Sequence, residues 1–487
     1  MCESAIQATE KMVMKRKLIL AYPNMRWLKE DITTTWNLNP STLCLLAAMV
    51  KDYVKVKIID AQFYNMTEES FKKEIEDYGP DYVGLSLLSS EYRDTLDTAA
   101  NIVKSVSKDI VVIAGGVHVT TQYGHATKNK NIDYCIRGEG EYVLGWLLRF
   151  LNGEGAFPKV GIVCRKGGEI ITQEKAIVED LKRLPWPDYG IIDFKPYFET
   201  ADRKNSPNRA PEYPCVRMIT TRGCPFGCSF CQVETISTRH VRARDPEDVV
   251  NELAFLKERY GIRSIIFDED NMLMAPNGYA RRLFSLMIER ELGLKWVSIA
   301  FALFLLDGEI LDLMKKSGCV GINVAIESGN PRVLREIVKK PIKDLQKVPE
   351  IIAKIKERNI YCIANFVVGF PGETWDEIRD TIRFAEKCGA DYIKIYAALP
   401  LYGTKLYDIS SSMGVLCCND EFPKVDWRYG QITSDEWTSK DITILRAYEW
   451  DRINFAPDKI KKVAEIWGVT EEELKTIRKQ TRDALVF

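Results

Sequence analysis

Three cysteines stand close together in Thr221-Arg-Gly-Cys224-Pro-Phe-Gly-Cys228-Ser-Phe-Cys231, directly after a run that reads as a strand. Thiolates at this spacing in a loop can wrap three irons of a [4Fe-4S] cubane, whose usual ligands are four cysteines. With three, one iron stays open for a substrate or cofactor to chelate, a catalytic arrangement rather than a pure electron-transfer one. The alternative is zinc, with His240 as a fourth ligand. Structural zinc sites usually pair two separated Cys-x-x-Cys units, and here only Cys228 and Cys231 form such a pair.

The other ten of the 13 cysteines, from Cys2 to Cys418, mostly sit in apolar surroundings, where a small buried hydrophobe is the expected role. The start of the chain has no apolar signal core, so a disulfide framework is not expected and the reading is cytoplasmic. The longest apolar run, Trp296 to Leu306, is too short to span a bilayer. Lys and Arg total 68 against 69 Asp and Glu, which provides no electrostatic footprint for nucleic acid or an anionic membrane. A small-molecule partner fits better. Hydrophobic residues at 46% and charged residues at 28% exclude a disordered or fibrous chain, and 487 residues make about three domains the starting expectation.

The elements that must position the cysteines follow from periodicity. Residues 1–150 alternate β-branched runs (Lys17 to Pro23, Val54 to Asp60, Tyr82 to Leu88, Ile110 to Gly116, Tyr134 to Gly140) with amphipathic helical stretches. That pattern predicts an α/β, doubly wound parallel sheet whose ligand lies beyond the carboxyl ends of its strands. Residues 151–212, with a Gly167-Gly168 hairpin signal and a Pro-rich stretch, read as a linker. Over 213–400 the alternation resumes as six βα units, predicting a partial (β/α)6 or full barrel. Residues 401–487 read as a helical segment that either covers the substrate entrance or only packs. Glycines follow two strands of the first unit, at Gly115-Gly116 and in Arg137-Gly-Glu-Gly-Glu141, where backbone without Cβ lets a large ligand approach. No G-x-G-x-x-G opens the first helix and no Walker sequence occurs.

The C-x3-C-x2-C spacing with Phe230 before its last cysteine resembles the signature of the radical S-adenosylmethionine (SAM) superfamily. The resemblance implies Cys224, Cys228 and Cys231 as cluster ligands and Phe230 against the adenine of SAM. It also implies Asp268 and Asp270, in Phe267-Asp-Glu-Asp-Asn271, as contacts of the SAM amino group. Glu327 and Ser328, in Ala325-Ile-Glu-Ser-Gly329, would meet its ribose and carboxylate, and Gly369, in Gly369-Phe-Pro-Gly-Glu373, its adenine. Leu399-Pro-Leu-Tyr-Gly-Thr404 is similar to the last-strand signature of the same group.

The amino-terminal unit resembles the cobalamin-binding domain fused to one branch of that superfamily. By position, Ser86, Gly115, Gly116, Val117, Gly138, Glu139 and Gly140 would line the cobalamin. The loop Tyr22-Pro-Asn-Met-Arg-Trp27 has no histidine, so no imidazole from it meets cobalt; Asn24, Arg26 and Trp27 lie in that loop, and His118 is expected in a turn or core role. The joint resemblance implies an oxygen-sensitive C-methyltransferase. It would use a [4Fe-4S] cluster, SAM and cobalamin to methylate an unactivated carbon, with a flavodoxin or ferredoxin type electron donor. Its substrate would be a small molecule or natural product, or else a peptide or protein. The same cofactors also serve cyclases, oxidoreductases and rearrangement enzymes, and an alternative of another class is a corrinoid or iron-sulfur electron-transfer protein.

Overall fold

The computed structural model describes residues 15–28, 38–87, 89, 93–200, 210–418, 425–426 and 428–486. Cys2 and Leu88, the end of the third expected strand, lie outside them.

Strand β1 (Lys17–Tyr22) pairs in parallel with both β2 (Lys55–Asp60) and β3 (Tyr82–Leu87), and β3 continues to β4 (Val111–Gly116) and β5 (Tyr134–Ile136). Alternate residues of β1 divide between two cores, as the two-residue repeat of a strand demands. Ile19 and Ala21 pack with Phe71, Ile75, Leu96 and Val103 on one face, and Leu18 and Leu20 with Leu43, Ala47, Leu144 and Leu147 on the other. The sheet is thus the doubly wound one expected. Its order, β2-β1-β3-β4-β5, places the topological switch between β1 and β3, where such folds open a ligand crevice.

The expected linker contributes structure to this sheet. Residues flanking Gly167 and Gly168 form the hairpin β6 (Ile162–Lys166) and β7 (Glu169–Thr172), which joins β5 antiparallel through Cys135↔Val163. A two-glycine turn marks a hairpin, and the free edge of the short β5 decides where it docks.

The second sheet is six parallel strands in the order β15-β14-β13-β12-β11-β8, from β8 (Cys215–Met218) through β11 (Ser264–Phe267), β12 (Lys295–Phe301), β13 (Cys319–Glu327) and β14 (Tyr361–Val368) to β15 (Tyr392–Ala397). Between β8 and β11 lies a two-stranded ribbon, β9 (Thr221–Arg222) with β10 (Arg242–Ala243). Because β8 and β15 do not pair, the barrel is partial rather than full. Its outer face packs on helices 246–260, 279–289, 308–316, 348–357 and 375–387. The run Trp296–Leu306 is β12 and a following short turn of helix, and among the described residues no helix is long and apolar enough to cross a membrane.

The carboxy-terminal helix 439–454 closes the open edge. Asn454 is buried and bonds both backbone groups of Ile393 on β15, its Oδ1 accepting from the N–H at 2.7 Å and its Nδ2 donating to the carbonyl at 2.8 Å. Trp450 Nε1 donates to the Tyr392 hydroxyl at 2.7 Å. An amide side chain here satisfies an edge that no strand pairs. Replacing Asn454 by Ala is expected to cost about 1–3 kcal/mol of stability, read as a lowered thermal midpoint, because two buried backbone groups lose their partners.

Candidate active site

The cysteine loop leaves β9 and returns through β10, so the ribbon staples its base. Gly223 has φ +100, and a Cβ there would lie 2.3 Å from the His240 carbonyl oxygen; only glycine lets the two ends of the loop approach so closely. Cys224 N–H donates to Thr238 O at 3.1 Å. The three thiols are half-buried. Desolvation pushes Cys228 up and Cys231 up to about 12. Among the described residues no three Cys, His, Asp or Glu side chains converge on one ion. A cubane does not require that, since each thiolate serves a different iron. His240, the fourth ligand of the zinc alternative, is exposed and lends its carbonyl to the base of the loop.

The acidic turn after β11 organises this loop. Asp270 accepts from Gly223 N–H at 2.8 Å. Glu269, which the sequence reading passed over, is the buried member: it accepts from Thr220 N–H (2.7 Å), Thr220 Oγ1 (2.8 Å), Thr221 N–H (2.8 Å) and Thr221 Oγ1. Burial pushes its carboxyl up to about 7 despite these donors. Asp268 is held by Arg217 at 3.0 Å.

On the barrel's other side, Glu327 ends β13 at φ +75, beside a register shift between Ala325 and Glu327. It is buried, not a solvated strand end, and pairs with Lys340 Nζ at 3.0 Å. Lys340, also missed in the sequence, is raised by Glu327 and by Cys228 and Cys224 despite its own burial. The positive charge is therefore beside the thiols.

Two other expected SAM contacts have partners within the protein. Ser328 is fully buried, with its hydroxyl bonded to Thr381 Oγ1 at 2.9 Å and accepting from Asn330 N–H at 3.1 Å. It shapes a turn, because a hydroxyl at a strand end can serve the next turn of backbone as readily as a ligand. Gly369, at φ +83, directs its missing Cβ at Ile442, 2.9 Å away, on the carboxy-terminal helix. Its N–H donates to Glu373 Oε2 at 2.7 Å, and Glu373, pushed up to about 8 by burial, also receives Phe370 N–H. Phe230 lies with its ring 6.0 Å from that of Phe370.

Between the two sheets is a cavity of about 320 Å³, within the usual size range of ligand sites. All seven residues expected to line cobalamin are on its wall: Ser86 at the end of β3; Gly115, Gly116 and Val117 at the end of β4; and Gly138, Glu139 and Gly140 after β5. Asp268 and Asp270 form the opposite wall. A Cβ at Gly115 would meet nothing within 4 Å, so its face is an open cradle. At Gly116 and Gly138 it would meet Leu87 O at 2.4 Å and Ala176 O at 2.2 Å, so these two glycines serve chain packing.

The carboxylate of Glu139 is committed across the interface, to Arg242 at 2.7 and 2.8 Å and to Val178 N–H at 2.6 Å. Beside it Arg222 pairs with Glu141 at 2.6 Å. These buried pairs join the first sheet to the cysteine loop. A second cavity, about 200 Å³, shares Thr42, Ile219, Arg222 and Asp268 with the first and reaches Arg217. Tyr22 lines it, but Asn24, Arg26 and Trp27 do not; they bond to Asn65, to Gln62 O and to Met66 O. His118 is buried against His125, 3.3 Å apart, and desolvation lowers it to about 3, which keeps it neutral.

The family described as the radical SAM superfamily matches residues 218–385, and the B12 binding domain matches residues 36–148. An uncharacterised methyltransferase of Pyrococcus horikoshii is 30% identical over 408 residues, 83% of this chain and 84% of that one. The chain belongs to the radical SAM superfamily, in the branch with a B12-binding domain. Cytidylyl-2-hydroxyethylphosphonate methyltransferase of Streptomyces wedmorensis is 26% identical over 481 residues, 89% of each chain. The solved cobalamin-dependent SAM radical enzyme OxsB, with aqua-cobalamin and SAM bound, superimposes with a TM-score of 0.72 at 16% identity over 96% of this chain and 72% of its own, a likeness of fold. The arrangement suits the cofactors of this radical SAM branch: three separate thiols with a cation beside them, and a glycine-edged cavity lined also by Asp268 and Asp270.

Replacing Arg242 by Met removes the two closest donors of Glu139 and leaves its carboxylate only Arg222, at 3.6 Å, and the Val178 N–H. The expected cost is about 3 kcal/mol, measured as a loss of thermal stability, because a buried carboxylate that loses its fork of donors is left under-compensated.

Proposed function

We propose that this protein is a cobalamin-dependent radical SAM C-methyltransferase acting on a small molecule or natural product. The observation that carries the reading is the shared wall. Asp270 ties down the base of the cysteine loop and, with Asp268, faces Gly115 across the cavity between the sheets. When bound, cluster and SAM supply hydrogen abstraction at an unactivated carbon, and cobalamin supplies the methyl group.

The chain's own residues hold, neutralise and exclude. In this reading Cys224, Cys228 and Cys231 hold the cluster, and Phe230, Asp268, Asp270, Glu327 and the Gly369 turn surround SAM. Ser86, Gly115, Gly116, Val117, Gly138 and Gly140 edge the cobalamin, with Glu139 holding that edge in place from behind. Arg217 and Lys340 neutralise Asp268 and Glu327, so the buried carboxylates do not repel the bound groups. The hydrogen-abstraction and methyl-transfer chemistry asks for no general base, in keeping with Glu269 being consumed by four hydrogen-bond donors. The reading includes a cytoplasmic location and an external one-electron donor of flavodoxin or ferredoxin type.

Anaerobic reconstitution with iron, sulfide and cobalamin, followed by incubation with methyl-labelled SAM and reductant, is expected to yield 5′-deoxyadenosine and label in product. Cys224→Ala, Cys228→Ala and Cys231→Ala together should abolish both. Deoxyadenosine without methyl transfer would overturn the methyltransferase, and SAM cleavage by the triple variant would overturn the radical SAM site. Gly115→Ala should fold with unchanged iron content and lose about tenfold or more in corrinoid affinity, read from the visible spectrum after gel filtration, since its Cβ enters the cradle without meeting a protein atom within 4 Å.

A further inference from the structure

The turn after β11 carries a fourth polar residue that neither the acidic run nor the inter-sheet cavity uses. Asn271 follows Asp270 directly and is 2% exposed. It stands at the N-cap of the short helical turn 272–274, where an asparagine ordinarily turns its side-chain oxygen onto a backbone N–H of that turn. Here it makes no such bond. Its backbone carbonyl accepts from Met274 N–H at 3.2 Å, so the turn closes without help from the side chain.

The amide instead meets the cysteine loop. Its Nδ2 donates to Cys224 Sγ at 3.8 Å, a long bond because sulfur is a large acceptor. Its Oδ1 is buried and has no partner among the described residues. A buried acceptor without a donor costs free energy, and an apolar side chain would fill the same space without that cost, so packing does not explain an amide here. Sulfur does. A thiolate bound to iron has only lone pairs to offer, and an amide can present N–H to it where a carboxylate would present a like charge. Three acids precede this position, and the residue that faces the sulfur is the amide.

We propose that Asn271 donates a hydrogen bond to the Cys224 thiolate of the bound cluster and thereby raises the potential at which the cluster takes up its electron. This rests on the reading of Cys224, Cys228 and Cys231 as ligands of a [4Fe-4S] cluster. Reduction adds one electron, supplied by the external one-electron donor, and no proton, so negative charge on the cluster sulfurs grows. An N–H aimed at sulfur then binds more strongly and favours the reduced form, hydrogen bonds to the sulfurs being among the factors that set cluster potentials. Lys340, whose charge reaches Cys224 and Cys228, acts in the same sense.

The test is a redox titration of the full-length protein, anaerobically reconstituted with iron and sulfide and free of SAM and cobalamin, with the reduced cluster read by electron paramagnetic resonance. Asn271→Leu keeps the branching of the side chain and removes the donor. It should bind the same iron as wild type and shift the midpoint downward, so that the reduced-to-oxidised ratio at the wild-type midpoint falls about threefold or more, or about 28 mV at 59 mV per tenfold for one electron. In ²H₂O, pulsed spectra of the reduced wild-type cluster should show an exchangeable deuteron coupling that the variant lacks, a signature that a residue with a merely structural role would not move. Asn271→Val repeats both measurements if the Leu variant does not load iron. A midpoint unmoved or moved upward at full iron content, or a deuteron coupling unchanged by the substitution, would overturn the bond. Protein that binds the cluster and cleaves SAM with a midpoint indifferent to residue 271 removes only this inference. A midpoint that follows residue 271 in protein that never cleaves SAM supports the bond and removes only the radical reading.

Discussion

Three consecutive carboxylates at the carboxyl end of β11 have three different partners, and the active site is assembled around them. Asp268 reaches back to Arg217 on β8, Glu269 takes four donors from Thr220 and Thr221, and Asp270 holds the backbone of Gly223. Adjacent side chains in an extended turn point in different directions, so one short segment can tie the first barrel strand, the entry to the cysteine loop and the floor of the inter-sheet cavity. Four donors on one buried carboxylate make the loop's position a matter of hydrogen-bond geometry rather than of loop entropy.

A second layer of charge holds the two sheets together. Glu139 and Arg242 are separated by about a hundred residues and both almost fully buried, with Arg222 and Glu141 beside them. Such pairs add little net stability compared with an apolar contact, and their use here is better understood as register. A guanidinium fork accepts only one orientation of its carboxylate, so the glycine edge carrying Gly138 and Gly140 is held at a set distance from the cysteine loop. Fixed separation is what two large cofactors acting on one substrate require.

The elements and the glycine edges were legible in the chain because they rest on local rules. β-branched runs in β1 to β4, apolar helical faces and glycines after strands all act within a few residues. What escaped depends on partners distant in sequence. Glu139 reads as a cavity residue until Arg242 is seen beside it, and Glu269 is hidden between two acids that look more available. Ser328 reads as a ligand contact, and its bond to Thr381, 53 residues on, has no sequence signal. The Gly167-Gly168 turn announced a hairpin, but its docking on β5 depended on an edge the linker reading did not consider. Lys340 gave no signal at all, since a lysine is ordinarily exposed and this one becomes informative only once its side chain is buried against Glu327.

In the proposed reading the cysteine loop and the glycine-edged cavity are two halves of one site sharing the wall of Asp268 and Asp270. Electron paramagnetic resonance of protein carrying both reduced cluster and cob(II)alamin tests it most directly. The account predicts magnetic interaction between the two centres, with the cob(II)alamin lines broadened and their relaxation accelerated only when the cluster is reduced. Two spectra that simply add, with cob(II)alamin relaxation the same in the presence and absence of reduced cluster, would contradict it.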